Sequence, residues 1–150
     1  MSDGTGLPLD VDLSAGQAHE SRFATPLLRR VRVKRPGRGR PRSRPRAVAG
    51  DKGYSYAAVR RDLRRRGVRA VIPERKDQRA RRAHRPGRKP HFDKVLYRRR
   101  NVIERCVGWL KEGRRLATRY EKLAIHYLGV LRLGMMRRLL RYLVTLSDTP

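Results

Sequence analysis

The chain has 150 residues, enough for one small domain or for part of a larger protein. Its 40 Lys and Arg residues outnumber 13 Asp and Glu residues and give a net charge of +27, so self-repulsion opposes folding unless a polyanion binds. Nucleic acid is therefore the expected partner, and the periodic apolar segments described below exclude a fully disordered chain.

The first predicted element is a strand over residues 7–13, where Leu and Val alternate with Pro and Asp. Such strict alternation is typical of a strand with one buried face. The segment from His19 to Arg30 then predicts a short helix. Pro26 weakens the middle of that helix, because proline has no N–H group to donate to the preceding turn.

Residues 34–46 read KRPGRGRPRSRPR and are the first of two predicted basic loops, because a Pro-, Gly- and Arg-rich segment offers nothing to bury. Within this loop, Arg38 and Arg40 flank Gly39 in an arrangement that resembles an AT-hook, whose arginines enter narrow A·T minor grooves. The alternative is a basic loop that contacts phosphates without reading bases. In both interpretations Arg38 and Arg40 are candidate DNA-binding residues.

A short apolar run at residues 47–50 predicts a buried strand that ends at Asp51. Functional residues often stand at the carboxyl end of a strand in an α/β sheet. The structural alternative is that Asp51 or Ser55 caps the helix that follows. This helix is predicted over residues 55–66, and a second short strand is predicted over residues 68–72.

Residues 74–91 are the second predicted basic loop, since they show no apolar periodicity. None of the four histidines has Cys or acidic neighbours at the spacing of metal ligands. We interpret all four as non-ligands: His19, His84, His91 and His126.

The chain from about Phe92 to Leu146 is predicted to be helical, with a break near residues 113–118. Its last part contains four arginines, so it is too charged to span a bilayer, and an amphipathic helix on a membrane surface is the alternative. The apolar residues of this part indicate a core or an oligomer contact: Tyr127, Leu128, Leu131, Met135, Leu139, Tyr142 and Leu143. The single Cys106 and an N-terminus without the features of a signal peptide predict a cytoplasmic location.

One continuous helix is predicted from Tyr97 to Lys111, because apolar residues recur at Ile103, Cys106, Val107 and Leu110. At about 100° per residue, four further side chains share a sector about 60° wide beside that stripe: Tyr97, Arg100, Glu104 and Lys111. A carboxylate flanked by an aromatic ring and two cations makes a candidate active-site wall. The alternative is a solvated helix face, since Glu and Lys at such spacings stabilise exposed helices.

The order of the predicted strands and helices indicates an α/β fold. Two segments resemble the DDE-type insertion-sequence transposases of bacteria. The helix is similar to that family's signature of Tyr, two residues, Arg, three residues, Glu, six residues, Lys, at Tyr97, Arg100, Glu104 and Lys111. Residues 50–54, GDKGY, resemble the segment around the family's second catalytic Asp, and the resemblance covers nearly the whole chain.

The resemblance implies a ribonuclease H-like fold in which three carboxylates hold two Mg²⁺ ions. It makes Asp51 and Glu104 metal ligands and catalytic residues, in keeping with the preference of Mg²⁺ for carboxylate oxygens. Arg100 and Lys111 would bind backbone phosphates of the transposon end, and Tyr97 would pack against or hydrogen-bond the bound strand. The implied reaction is hydrolysis of a phosphodiester at the end of the element, followed by attack of the freed 3′-hydroxyl on target DNA.

The sequence departs from the family at the first catalytic Asp, which belongs to a strand upstream of the one that residues 7–13 resemble. Asp10 and Asp12 match positions in the later strand, so we do not interpret them as substitutes. Without the first strand, the strand at residues 47–50 is expected to lack a neighbour. The expected architecture is a partial ribonuclease H-like fold that lacks its first strand and has a long helical C-terminal region.

Residues 1–146 are therefore predicted to be a truncated DDE transposase catalytic domain, as an element remnant or as the second reading frame of an element. We expect it to bind double-stranded DNA in the nucleoid, at transposon ends and targets, and to be inactive alone. A homodimer or an upstream-encoded transposase portion would be its further partner. The alternatives are a non-enzymatic architectural DNA-binding protein and an RNA-binding protein, which the lack of aromatic stacking residues on the predicted strands disfavours.

Overall fold

A computed structural model describes residues 1–84, 87 and 92–147 of the chain. Its helices are α1 (Ser21–Arg30), α2 (Ala57–Arg65), α3 (Lys76–Ala83), α4 (Lys94–Arg98), α5 (Asn101–Lys111), α6 (Arg114–Thr118) and α7 (Ala124–Ser147). The strands are β1 (Ala47–Ala49) and β2 (Arg69–Val71), and a 3₁₀ turn spans Lys52–Tyr54. The chain divides into two units, the first Gly16–Arg100 and the second Met1–Ala15 together with the chain from Asn101 onward.

In the first unit, β1 pairs in parallel with β2, and α2 is the crossover between the two strands. The register places Ala47 opposite Arg69 and Ala49 opposite Val71. The mixed α/β class is thereby confirmed, with a sheet that has these two strands among the described residues. The expectation that residues 47–50 lack a neighbour is wrong, because β2 satisfies one edge of β1 with backbone hydrogen bonds.

Helix α2 forms because Val59 and Leu63, four residues apart, place apolar side chains on one face. The helix ends at Arg65, and Gly67, two residues later, has a left-handed φ of +65° that favours glycine. The N–H of Gly67 donates to Arg64 O (2.9 Å) and that of Val68 to Leu63 O (2.9 Å), the two bonds of a Schellman motif. The buried apolar residues of this unit are Leu28, Val59, Leu63, Val68, Val71 and Ile72.

The predicted strand at residues 7–13 is wrong, since this fully described segment belongs to no strand. An isolated antiparallel bridge joins Ser2 to Pro8, and the N-terminal ammonium of Met1 donates to Asp10 O at 2.8 Å. Side chains on both faces are partly or fully buried, so the alternation does not separate a core face from a solvent face. A strand is stable only when a neighbour pairs with its backbone, and here the neighbour is the first few residues of the chain.

The loop predicted over residues 74–91 is also wrong in part, because Lys76–Ala83 form α3. Polar contacts, not an apolar face, attach this helix to the unit. Ser55 Oγ donates to Gln78 Oε1 at 2.6 Å, and Arg82 forms an ion pair with Glu74 at 2.7 Å. Apolar periodicity could not reveal such a helix, and His91 lies outside the described residues.

The helix predicted from Tyr97 to Lys111 is interrupted. Helix α4 ends at Arg98, a turn occupies Arg99 and Arg100, and α5 begins at Asn101. Three successive arginines occupy residues 98–100, and the turn lies at the last two of them. The break predicted near residues 113–118 is wrong in part, because Arg114–Thr118 form the short helix α6 and the non-helical residues lie on either side of it, at 112–113 and 119–123.

The second unit packs α5 and α6 against α7, with Cys106, Leu116 and Met135 buried. A Cβ atom at Gly134 would lie 3.0 Å from Leu116 Cδ1, so a larger residue there would force the Leu116 side chain to shift by a few tenths of an ångström. Val107, predicted in the apolar stripe of α5, is instead 43% exposed. Of the predicted α7 core, the first four residues are buried or half-buried, whereas the last three are exposed: Leu139, Tyr142 and Leu143.

In the part of the chain that the structure describes, no helix combines the length and the apolar character needed to cross a membrane.

Candidate functional site

Asp51 follows β1 directly, and its position comes from the sheet. Gly50 N–H donates to Val71 O at 3.2 Å, which extends the β1–β2 pairing by one residue and carries Asp51 beyond the strand end. The carboxylate is exposed, and its Oδ1 accepts a hydrogen bond from Gly53 N–H at 2.8 Å. Asp51 therefore caps the 3₁₀ turn and not α2, whose N-cap Tyr56 makes no side-chain cap hydrogen bond, so the predicted capping of that helix is wrong. The exposure of Asp51 leaves it accessible to a ligand.

Ser55, the other capping candidate, has a different role. It is fully buried, and its hydroxyl donates to Gln78 and accepts from Arg60 Nη2 at 2.9 Å. Ser55 thus connects α2, α3 and the end of β2, where Arg60 also donates to Ile72 O at 2.7 Å. Burial lowers the pKa of the Arg60 guanidinium, and the nearby Glu74 carboxylate partly offsets this effect.

Tyr54 lies beside Asp51 and shows the electrostatic character of this strand end. Burial raises the pKa of Tyr54 to about 12, and the negative charges of Glu20 and Asp51 contribute, as does a hydrogen bond to Glu20. These carboxylate effects all disfavour a further negative charge.

Replacing Tyr54 by phenylalanine is expected to weaken the loss of stability at alkaline pH. A phenol in the unfolded chain has a pKa of 10.0, whereas the pKa of Tyr54 in the folded chain is about 12. The unfolded chain therefore loses the proton first, and the stability that Tyr54 contributes below pH 10.0 disappears as pH rises towards 12. Urea titrations across this range should show a shallower decline for Tyr54→Phe than for the wild type.

Tyr120→Phe is the matched control, because Tyr120 is 65% exposed and should leave the alkaline decline unchanged. Identical pH profiles for wild type and Tyr54→Phe would contradict the assignment.

Glu104 and Lys111 are both on α5 and both exposed. Seven residues of α-helix rotate by nearly two full turns, so these two side chains share one face, as the sequence predicts. Glu104 is in the first turn of α5 and Lys111 in the last, where each charge is favourable with respect to the helix dipole. A stabilising role and a DNA-directed role are therefore both compatible with this placement.

Tyr97 and Arg100 do not continue the α5 face, because the helix is interrupted between them and Asn101. The sector of four side chains predicted beside one apolar stripe is wrong for this reason. Instead, the Arg100 guanidinium lies 5.7 Å from the centre of the Tyr97 ring. The centres of the Tyr97 and Phe92 rings are 5.2 Å apart. Tyr97 and Arg100 form a cation–π pair within the first unit.

Residues 34–46 form the basic loop, in which Arg38 and Arg40 are exposed. Val33 and Arg42 close this loop through two backbone hydrogen bonds of 2.9 and 2.8 Å. Gly37 and Gly39 have φ values of +85° and +141°, which side-chain-bearing residues rarely adopt. The glycines thus shape a loop that projects both arginines into solvent.

The described residues do not assemble a complete metal site. Residues 1–84, 87 and 92–147 include no group of three or more His, Cys, Asp or Glu side chains that could hold a metal ion together. Asp51 belongs to the first unit and Glu104 to the second. The described residues therefore provide no complete three-carboxylate site.

Asp62 is a buried acidic residue that was not among the candidates predicted from the sequence. The residue is only 5% exposed, and its Oδ1 pairs with Arg29 (3.3 Å) and Arg65 (3.1 Å). The apolar spacing of α2 could have indicated its burial, because Asp62 stands between Val59 and Leu63, which both face inward. An acidic residue on the buried face of a helix requires a cationic partner.

Comparison with known proteins gives a consistent result. The family model described as "Transposase DDE domain" matches residues 1–137. A Burkholderia cepacia protein named "Putative transposase for insertion sequence element IS402" is 34% identical over 134 residues, which cover 89% of this chain and 57% of that protein. The chain thus spans little more than half the length of this relative. No solved structure matches the chain.

Proposed function

Because this chain belongs to the transposase DDE domain family, we propose that it acts in DNA transposition, by cleavage and strand transfer of insertion-sequence ends. The observation that carries the proposal is the family match over residues 1–137. The identity of 34% to a protein named as an insertion-sequence transposase supports it. DNA as substrate would place this activity in the cytoplasm, at the nucleoid.

The proposal includes a partial ribonuclease H-like fold for the truncated catalytic domain over residues 1–146. The parallel β1–β2 pair with its crossover helix supports it, as does the position of Asp51 just beyond the carboxyl end of β1. These features belong to many α/β folds, so the family match carries more weight than the topology.

We assign Asp51 and Glu104 as two members of the catalytic carboxylate set. DDE transposases generally use divalent metal ions, and Mg²⁺ is the ion we propose, since it prefers carboxylate oxygens. The exposed position of the Asp51 carboxylate, directly after β1, supports this assignment. A further carboxylate would come from an upstream-encoded portion, and the chain alone would bind DNA without cutting it.

For DNA contacts we propose Arg100 and Lys111 for phosphates, Tyr97 for the bound strand, and Arg38 and Arg40 on the basic loop. The net charge of +27 and the exposure of Arg38, Arg40 and Lys111 support these roles. A second copy of the chain is a further proposed partner, which sedimentation velocity of the purified protein would test.

The experiment is excision of the complete element, with this coding sequence and its flanking DNA, from a reporter plasmid in cells. Glu104→Gln and Asp51→Asn should each reduce excision by more than about 100-fold, because losing even an outer-shell partner of a metal ligand costs about 10–100-fold. Glu112→Gln and Asp77→Asn are the matched controls, since both residues are exposed and each change removes one negative charge.

Excision that survives Glu104→Gln would remove Glu104 from the mechanism, and no excision by the wild type would contradict transposition. The purified chain should shift duplex DNA and leave a supercoiled plasmid intact in Mg²⁺. Nicking by the purified chain would show that it is complete.

The second candidate function is a non-enzymatic architectural DNA-binding protein. The projecting basic loop favours it, because neither Arg38 nor Arg40 needs a catalytic site to bind DNA. In that case the variants at Asp51 and Glu104 would bind DNA and support excision like their controls.

A further inference from the structure

A basic pocket lies in the first unit at the end of α1, where the end of the basic loop meets the second half of α2. Its lining residues are Arg29, Arg32, Ser43, Asp62, Arg65 and Arg66. Four guanidinium groups thus surround one carboxylate, so the pocket carries an excess of positive charge. One or two cations are enough to compensate the charge of a single buried Asp. The positive charge of the other guanidinium groups in the pocket therefore requires another explanation.

Asp62 holds two of these guanidinium groups at the surface. Its Oδ1 accepts from Arg29 Nη2 at 3.3 Å and from Arg65 Nη2 at 3.1 Å. The side chain of Asp62 is 7% exposed, whereas those of Arg29 and Arg65 are 63% and 68% exposed. Since a guanidinium carries five N–H donors, both arginines retain donors that face solvent.

The other two arginines hold the walls of the pocket. Arg32 Nη1 donates to the carbonyls of Arg29 (2.6 Å) and Val31 (2.9 Å) at the end of α1. Arg66 Nη2 donates to Ser43 O at 3.1 Å and to Leu28 O at 3.5 Å, joining α2 to the basic loop and to α1. Arg66 Nη1 is buried and has no hydrogen-bond partner in the described part of the chain.

We propose that this pocket binds a phosphodiester group of the DNA backbone, with Arg29 and Arg65 donating to the phosphate oxygens. Asp62 is a positioning residue that fixes the two guanidiniums and competes with the phosphate for their donors. The inference rests on the proposed function, because duplex DNA is the polyanion that the function supplies. Two guanidiniums converging on one point suit a tetrahedral oxyanion, and bonds between ionised partners are the stronger kind.

The connection to the basic loop strengthens the assignment. Ser43 is both a residue of that loop and part of the pocket wall, and Arg44 Nη1 donates to Arg66 O at 3.2 Å. A strand whose phosphate enters the pocket would pass along a segment that carries further arginines. The pocket then fixes the register of the DNA, and it carries no sequence information itself.

The test is fluorescence anisotropy of the full chain with a labelled random-sequence DNA duplex at several salt concentrations. Arg29→Gln/Arg65→Gln should weaken binding about tenfold relative to its control and lower the slope of log affinity against log salt by about one, the value for one phosphate contact. The control is Arg22→Gln/Arg64→Gln, which changes exposed arginines on the same two helices and removes the same charge.

Asp62→Asn gives a result of opposite sign. It removes the competing charge, keeps the shape of the side chain and frees both guanidiniums, so DNA affinity should rise several-fold and the salt slope should steepen. General damage to the fold would weaken binding, and Asp62→Asn therefore keeps the test decisive if Arg29→Gln/Arg65→Gln proves unstable. Circular dichroism spectra monitor folding of all variants.

The proposal is overturned if Arg29→Gln/Arg65→Gln binds like its control, or if Asp62→Asn, still folded, binds more weakly than the wild type. A wild-type chain that fails to bind any duplex refutes the proposed function as well. Wild-type binding with these variants unaffected refutes the pocket alone.

Discussion

Replacing Leu63 by alanine is expected to lower the free energy of unfolding of the first unit by about 2–5 kcal/mol, the usual cost of a large cavity in a packed core. Leu63 is 2% exposed and lies on the α2 face that packs against β2. It is also the residue whose carbonyl accepts the Val68 N–H in the motif that ends α2. Small domains have total stabilities of about 5–15 kcal/mol, so this single change should bring the unit near its stability limit.

The measurement is urea denaturation followed by circular dichroism, with Leu140→Ala as the control for the same chemical change. Leu140 is 60% exposed on α7, and its truncation should change the unfolding free energy by no more than about 0.5 kcal/mol. Equal losses for Leu63→Ala and Leu140→Ala would show that the core is not where the structure places it.

Raising the salt concentration is expected to have the largest effect on DNA binding. A protein that contacts six to ten phosphates loses about 10³–10⁵ in affinity between about 50 and 200 mM salt, because each contact releases condensed counterions. The net charge of +27 and the exposed arginines of the basic loop predict contacts of this number. Anisotropy titrations with one duplex at several salt concentrations measure the slope directly, and a slope near zero would contradict phosphate-dominated binding.

The same titrations separate the two interpretations of the basic loop. Arg38→Gln/Arg40→Gln should reduce the salt slope by about two if both arginines contact phosphates, equally on all duplexes. A loss confined to A·T-rich duplexes would indicate minor-groove insertion instead. Parallel titrations with duplex RNA test the RNA-binding alternative, which predicts preference for RNA over DNA.

Local sequence was sufficient for elements whose causes are local. The Pro, Gly and Arg composition of residues 34–46 predicted a loop without reference to any neighbour, and the described loop contains no helix or named strand. The apolar spacing of α2 and its stop at Gly67 predicted that helix closely, with an end at Arg65. The two motifs around Asp51 and Glu104 were sufficient to identify the transposase family, which the family match confirms.

Other features depended on partners that are distant in the chain. Residues 7–13 alternate like a strand, but only an isolated bridge joins them to the first residues of the chain. Helix α3 has no apolar face, yet Gln78 and Arg82 hold it in place. A turn at residues 99–100 interrupts a helix that apolar periodicity alone would continue.

The sequence by itself determined the charge, the family and the positions of the candidate carboxylates, because composition and motif spacing need no folding to be read. Only the tertiary structure decided that Asp62 is buried between Arg29 and Arg65, and that Leu139, Tyr142 and Leu143 on α7 are exposed. Burial depends on which elements pack together. A charged residue can be buried only where oppositely charged partners lie next to it, and for Asp62 one of these partners, Arg29, is more than 30 residues away in the chain.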